Sequence, residues 1–191
     1  MVNRRLTYYI AYLLGITTLF LVLFVVFNRY AIVFNTTDSY PFGFYQTQPI
    51  DRAIQRGDLV AFCLPTGDYT QLITDRGCIG EGSCDSGLTS LIKRVYGLAG
   101  DRVVISAEGV RVNGGELIEH SSPITHDRKG RPLPQMASGT VDKDHYAMFS
   151  EYHPLSFDSR YFGTIHRDNI HHFIKPLWIM GKINEYRQEN P

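Results

Sequence analysis

A mainly β domain carried behind a single N-terminal transmembrane helix is what this sequence predicts, and three features carry that expectation. The 23 residues from Leu6 to Asn28 contain no charge. Beyond residue 30 no long stretch shows helical amphipathic spacing, and short apolar runs instead alternate with clusters of Gly, Pro, Asp and Ser. Tyr (12), Phe (11), Gly (17) and Pro (9) are abundant, which suits pleated strands joined by tight turns. A chain of 191 residues supports one sizeable core rather than two. Lys plus Arg and Asp plus Glu number 19 each, so no net positive field points to a nucleic-acid partner.

At about 1.5 Å per residue the uncharged run forms roughly 34 Å of helix, enough to cross a hydrocarbon core of about 30 Å. Arg4 and Arg5 precede it and Arg29 follows. The positive-inside bias therefore makes residues 1–28 a cytoplasmic stub and anchor, and puts residues 29–191 outside as one domain facing the periplasm. A cleaved signal peptide is the competing reading, but the run is long and no A-x-A-like site follows it.

Ala31 to Tyr45 comes next. Even fully extended, the eleven residues from Asn28 to Ser39 reach at most about 35 Å, so Ser39 stays near the bilayer. Ile32, Val33, Phe34, Tyr40, Phe42, Phe44 and Tyr45 form an apolar, aromatic patch suited to an interface. Asn35-Thr36-Thr37 is also a glycosylation sequon.

Arg56-Gly57-Asp58 reads as a turn before L-V-A-F-C-L-P, a buried strand ending at Pro65. Residues 66–90 are rich in Gly, Asp, Ser and Thr and read as a loop or insertion, with Cys78 and Cys84 as a candidate disulfide and Cys63 as a buried thiol. R-V-V-I-S and V-R-V-N-G-G flank a short turn and read as a hairpin. Residues 115–140 read as a long surface loop, H-Y-A-M-F-S as a strand, and F-I-K-P-L-W-I-M as a last strand interrupted at Pro176.

The organising stretch is Leu91 to Val104. On a strand, Leu91, Lys93 and Val95 share one side and Ile92, Arg94 and Tyr96 the other. A lysine among core aliphatics loses hydration, and its pKa falls from about 10.4 toward 6 or 7, so the neutral amine accepts a proton at working pH. An edge-strand lysine kept in water against aggregation is the alternative from this stretch alone.

Three segments together resemble the signature boxes of the type I signal peptidase family. They are Thr37-Asp38-Ser39 with Pro41 and Gly43; Leu91-Ile92-Lys93-Arg94-Val95 with Gly97 and Gly100-Asp101-Arg102; and Asp158-Ser159-Arg160-Tyr161-Phe162-Gly163. The N-T-T-x-S-x-P-x-G-x-Y form from Asn35 to Tyr45 is similar to the TraF-like branch, peptidases of conjugative-transfer systems that mature pilin precursors. The resemblance implies a signal-peptidase-like β domain with Ser39 as nucleophile and Lys93 as general base. It also implies that Ser156 orients Lys93, that Thr37 completes an oxyanion hole with the Ser39 amide, and that Asp158 and Arg160 support the site or form an ion pair fixing a turn. Two departures are visible: Ala99-Gly100-Asp101 where the family has Pro-Gly-Asp, and Ser150-Glu151 where it has Gly-Asp or Gly-Asn.

The expected protein is a single-pass inner-membrane serine endopeptidase and a monomer, with a precursor protein and the lipid bilayer as partners and neither cofactor nor metal. A housekeeping signal peptidase and a non-catalytic, membrane-tethered assembly factor are the alternatives. A Ser-His-Asp hydrolase finds no G-x-S-x-G elbow, and His171-His172 on a strand face opposite sides and make a poor metal pair.

Overall fold

The computed structural model describes residues 4–37, 39–127 and 129–181 and, at residues 68, 69, 71 and 72, the backbone alone. Helix α1 (Arg4–Arg29) buries no residue against the protein. Three of its polar side chains bond within the helix, as suits a hydrocarbon environment: Thr17 Oγ1 donates to the Leu13 carbonyl at 2.9 Å, Thr18 Oγ1 to Leu14 at 2.8 Å and Asn28 Nδ2 to Phe24 at 2.8 Å. The helix has membrane-span length, and none of its apolar side chains is buried by the rest of the chain, which it meets only at its foot.

Among the described residues ten strands follow, with two short α-helices and a 3-10 turn (Arg167–Asn169) between them: β1 (Ile32–Asn35), β2 (Gly43–Pro49), β3 (Leu59–Phe62), α2 (Asp68–Asp75), β4 (Leu91–Gly97), β5 (Arg102–Ser106), β6 (Gly109–Val112), β7 (Gly139–Thr140), β8 (His145–Phe149), α3 (Ser159–Phe162), β9 (Ile165–His166) and β10 (Ile170–Ile179). Seven strands form one sheet in the order β1-β2-β10-β3-β4-β8-β9, and three form a second in the order β6-β5-β7. The fold is mainly β, as the turn-rich, aromatic composition predicts. The expected hairpin is β5–β6, in antiparallel register from Val103↔Val112 to Ser106↔Gly109.

Alternation along β3 and β4 sorts side chains onto two faces. Val60 and Phe62 with Leu91 and Val95 join Met148, Phe162, Ile165 and Phe173 in the largest apolar cluster. Leu59 and Ala61, with Ile92 packed beside them, join Tyr40, Tyr45 and Ile174 on the opposite face. Gly43, which starts β2, has φ +155°, and an added Cβ would lie 2.2 Å from the Trp178 carbonyl oxygen of β10. Only glycine permits both that backbone and that approach, which accounts for the glycine of the Ser-x-Pro-x-Gly segment.

Several sequence expectations are corrected. Tyr40 and Tyr45 are fully buried rather than part of an interfacial patch. Leu177, Trp178 and Met180 of the β10 region are exposed there instead, beside Val33, Phe34 and Phe42. The ring of Phe44 bridges this surface to α1, with centroids 5.6 Å from Phe27, 4.9 Å from Phe34 and 6.1 Å from Trp178. Asn35 is buried and donates to three carbonyls, so its sequon is not offered to a glycosyl transfer. Residues 66–90 contain α2 rather than loop alone. Strand β10 runs through Pro176 with a register shift between Pro176 and Trp178. It tolerates the missing N–H because β3 pairs with it only through Phe173. A shift between Ile170 and His172 breaks the simple alternation, and His171 and His172 are both exposed.

The disulfide joins Cys63 to Cys84, with Cα atoms 5.6 Å apart, and Cys78 is free. The expected Cys78–Cys84 pairing is therefore wrong, and so is the reading of Cys63 as a thiol. The reason is the path of residues 80–89. Gly82 N–H donates to Gly87, Cys84 N–H to Leu88 and Thr89 N–H to Gly80, so the segment folds back and delivers Cys84 to the end of β3. Cys78 stays at the end of α2, its amide donating to the Ile73 carbonyl at 3.0 Å. A cross-link spanning 21 residues constrains the unfolded chain by about 3 kcal/mol. Cys63→Ser is expected to lower the unfolding free energy by that amount, which denaturant titration of the detergent-solubilised protein measures; an unchanged midpoint would count against the cross-link.

Candidate active site

The lysine expected within a core-facing alternation lies there. Lys93 of β4 stands opposite Val60 of β3, on the face that Leu91 and Val95 share, and is fully buried. Burial lowers its pKa from 10.5 to about 8; the Asp158 carboxylate pulls it back up, the Arg160 guanidinium lowers it and Glu151 raises it. Its Nζ has no hydrogen-bond partner among the described residues, and neither does the buried Oγ of Ser156. Unpaired buried donors are costly, and where they persist in native folds they call for an explanation.

Ser39, half-buried, occupies the turn between β1 and β2. Ser39, Lys93 and Ser156 line one cleft of about 880 Å³, together with Thr37, Asn35 and the apolar side chains Ala61, Leu91, Ile92 and Ile174. Val33 and Phe34 of β1, next to the aromatic surface at the foot of α1, line one wall of that cleft; Ile124, Asp127, Leu133 and the residues from Arg76 to Gly80 line another. The free Cys78 belongs to that second wall, and burial raises its pKa, which keeps the thiol protonated and a poor nucleophile.

Backbone carbonyls of the Ser39 turn are held from the interior. Asn35 Nδ2 donates to Thr37, Tyr40 and Pro41 at 3.1, 2.9 and 3.2 Å. Tyr45 Oη donates to Pro41 at 2.7 Å, and Ser150 Oγ donates to the Ser39 carbonyl at 2.6 Å. Thr37 is exposed, and its hydroxyl donates to Asn35 Oδ1 at 2.8 Å. Because Asn35 Nδ2 is committed to carbonyls, the amide orientation is fixed and that hydroxyl proton is engaged. Asp38, part of the expected Thr37-Asp38-Ser39 segment, lies outside the described residues.

Asp158 and Arg160 are both fully buried and paired, Nε to Oδ1 at 2.7 Å and Nη2 to Oδ2 at 2.8 Å. Asp158 caps α3 by accepting the Arg160 amide at 3.2 Å, and it also accepts the Ser150 amide at 3.3 Å. The guanidinium donates to the carbonyls of Ser156 at 2.8 Å, Ser122 at 2.9 Å, His120 at 3.3 Å and Pro154 at 3.4 Å. The pair thus fixes the loop that carries Ser156.

The model of the signal peptidase family, peptidase S26, matches residues 4–178. The chain belongs to the signal peptidase family. A plasmid transfer protein TraF of Escherichia coli is 39% identical over 145 residues, 75% of this chain and 80% of that protein. A probable conjugal transfer protein TraF of Sinorhizobium fredii is 37% identical over 132 residues, 69% of this chain and 68% of that one, and a conjugal transfer protein TraF of Agrobacterium fabrum is 31% identical over 144 residues, 75% and 80% of the two chains. A solved signal peptidase I of Enterococcus faecalis aligns with 64% of this chain and 97% of its own at a TM-score of 0.37 and 21% identity.

The departures from the family's boxes differ in consequence. In Ala99-Gly100-Asp101, Gly100 keeps φ +88° and the Asp101 carboxylate gathers Leu98 N–H, Arg56 and Asn113 at 2.5, 2.8 and 2.6 Å, so the turn holds without proline. Ser150 and Glu151 instead touch the Ser39 turn itself, Ser150 through the Ser39 carbonyl and Glu151 through the Tyr40 hydroxyl at 2.7 Å. Asn35, Tyr40 and Glu151 are site residues that sequence reasoning missed. The available signal is the Asn that opens the N-T-T-x-S-x-P-x-G-x-Y form, which the sequence alone reads as a motif position and a sequon. None of the seven histidines is buried, and no group of three or more His, Cys, Asp or Glu able to hold a metal occurs among the described residues.

Proposed function

We propose that the chain is a membrane-anchored serine endopeptidase that cleaves an exported precursor, a pilin subunit of a conjugation system, through a Ser39–Lys93 dyad. The observation that carries this reading is a fully buried lysine with an unpaired Nζ, lining one cleft with Ser39 and Ser156. The TraF names of the relatives supply the conjugative context, and the aromatic surface at the foot of α1 supplies proximity to a membrane-bound substrate.

Neutral Lys93 takes the proton of Ser39 Oγ as that oxygen attacks the scissile carbonyl. The ammonium so formed then protonates the leaving amine, and an acyl-enzyme remains on Ser39. Lys93 Nζ and Ser39 Oγ are not hydrogen-bonded in the substrate-free cleft; contacts of this kind tighten when substrate excludes water. The Ser39 amide is one oxyanion donor, and Thr37 is the second once its hydroxyl turns from Asn35 to the substrate. Ser156 orients the lysine amine, and Asp158 with Arg160 holds Ser156 in place. Small residues, Ala-like, fit the apolar floor on the acyl side of the scissile bond. Water, or the substrate's own amino terminus in a cyclising transfer, resolves the acyl-enzyme. On this reading the anchor sits in the inner membrane with the β domain in the periplasm, and the protein works as a monomer.

Incubation of the detergent-solubilised full chain with a precursor pilin tests the proposal. The expected result is a mass loss equal to the removed segment with the natural chain and none with Ser39→Ala. Cleavage by Ser39→Ala, or none by the natural chain on pilin or unrelated preproteins, would overturn it.

A further inference from the structure

Strand β4 carries two charged residues in succession, and the reaction above uses only one. Lys93 faces the cleft, while Arg94, on the opposite side of the strand, is also buried. Arg94 Nε donates to Glu151 Oε1 at 2.8 Å, and Nη2 lies 2.7 Å from the same oxygen. The other carboxylate oxygen of Glu151 accepts the Tyr40 hydroxyl at 2.7 Å. Tyr40 is the residue after Ser39, and it is fully buried. Next to Glu151, the wholly buried Ser150 donates its hydroxyl to the Ser39 carbonyl at 2.6 Å. A continuous buried path therefore runs from the residue beside the base to the residue beside the nucleophile, and a second bond from the same bend grips the nucleophile's own peptide plane.

We infer that Ser150 and the Tyr40–Glu151–Arg94 chain are positioning residues, which hold the Ser39 turn in register with Lys93 across the cleft. This deepens the peptidase reading and rests on it. Three arguments favour positioning over mere core stability. A buried carboxylate and guanidinium require hydrogen bonds on every side, and an apolar pair would fill the same volume without that demand. The apolar side chains of the turn offer no directional hold: Pro41 is buried and Phe42 exposed, so the polar contacts fix the position of Ser39. The Ser39 carbonyl bond also restrains rotation of the peptide unit that follows the nucleophile. Displacement of a reacting group by about 1 Å is enough to lower turnover on the order of a hundredfold.

Tyr40→Phe deletes one hydroxyl, Ser150→Ala another, and Glu151→Gln one charge. Each is assayed on the full chain in detergent with an internally quenched peptide bearing Ala on the acyl side of the scissile bond. Hydrogen exchange at the Ser39 and Tyr40 amides is followed by mass spectrometry in parallel. Each variant is expected to lose roughly tenfold or more in kcat with KM within about twofold, and to exchange those amides faster. Because Tyr40 and Glu151 act in one chain, Tyr40→Phe combined with Glu151→Gln should lose no more than the worse single variant. Unchanged kcat in Tyr40→Phe and Ser150→Ala, or a kcat loss without faster exchange at the turn, would overturn the inference. If the natural chain cleaves nothing, the peptidase reading falls while the exchange measurement still decides whether these residues hold the turn.

Discussion

Replacing Lys93 with methionine is expected to abolish processing and, in the same protein, to make the β domain more stable at pH 7. The two effects share one cause. Burial lowers the lysine pKa from 10.5 to about 8, against the upward pull of Asp158, and each pH unit of that lowering is worth about 1.4 kcal/mol. In the unfolded chain the amine titrates near 10.4. Below pH 8 both states are protonated and the folded state bears the whole penalty, about 3 kcal/mol. Between about 8 and 10.4 the unfolded chain binds more protons than the folded one, so stability rises with pH there and levels off above. Methionine has a similar unbranched shape and no charge to desolvate. Lys93→Met should therefore raise the unfolding free energy by about 2 to 3 kcal/mol at pH 7 and flatten its rise above pH 8, while turnover falls roughly 10⁴-fold. On the proposed mechanism the natural chain should gain kcat/KM about tenfold per pH unit up to about 8 and then level off, since only a neutral amine can accept the Ser39 proton. A variant less stable than the natural chain at pH 7, or a flat rate profile between pH 6 and 9, would remove the base from the mechanism.

Legibility in the sequence followed the range of the interactions involved. The anchor is read from composition over 23 residues, and the faces of β4 from alternation over the six residues Leu91 to Tyr96. Leu91, Lys93 and Val95 share a side because a strand's geometry permits nothing else. The disulfide was not legible, because spacing suggested a short local loop while the partner of Cys84 came from the end of β3. Tyr40 and Tyr45 looked interfacial because amphipathic aromatics occur in both settings. Long-range acceptors decide the matter, Glu151 for Tyr40 and the Pro41 carbonyl for Tyr45. The motif proposes Ser39, Lys93 and Ser156, whereas the Asn35 and Glu151 contacts with the Ser39 turn required the fold itself. Thr37 illustrates the remaining gap: the resemblance implies an oxyanion donor there, while its hydroxyl donates to Asn35 in the structure.

Asp158→Asn should be the most damaging single change outside the dyad. The carboxylate is fully buried against Arg160 and accepts four protein hydrogen bonds, from the Arg160 Nε, Nη2 and amide and from the Ser150 amide. Removing its charge strands a guanidinium in the interior, which typically costs about 3 to 5 kcal/mol, a large part of the roughly 5 to 15 kcal/mol that holds a domain together. Unlike Lys93, the pair cannot be replaced harmlessly by an apolar side chain, because Arg160 also satisfies four backbone carbonyls between His120 and Ser156. A fall of that size in unfolding free energy is expected, measured by denaturant titration in detergent. A second readout separates this structural loss from the site. The Asp158 charge raises the Lys93 pKa and the Arg160 charge lowers it, so without the carboxylate whatever activity survives should reach its plateau below pH 8. Natural stability in Asp158→Asn would deny the pair its structural role, and an unshifted acid limb would deny that its charge reaches the lysine.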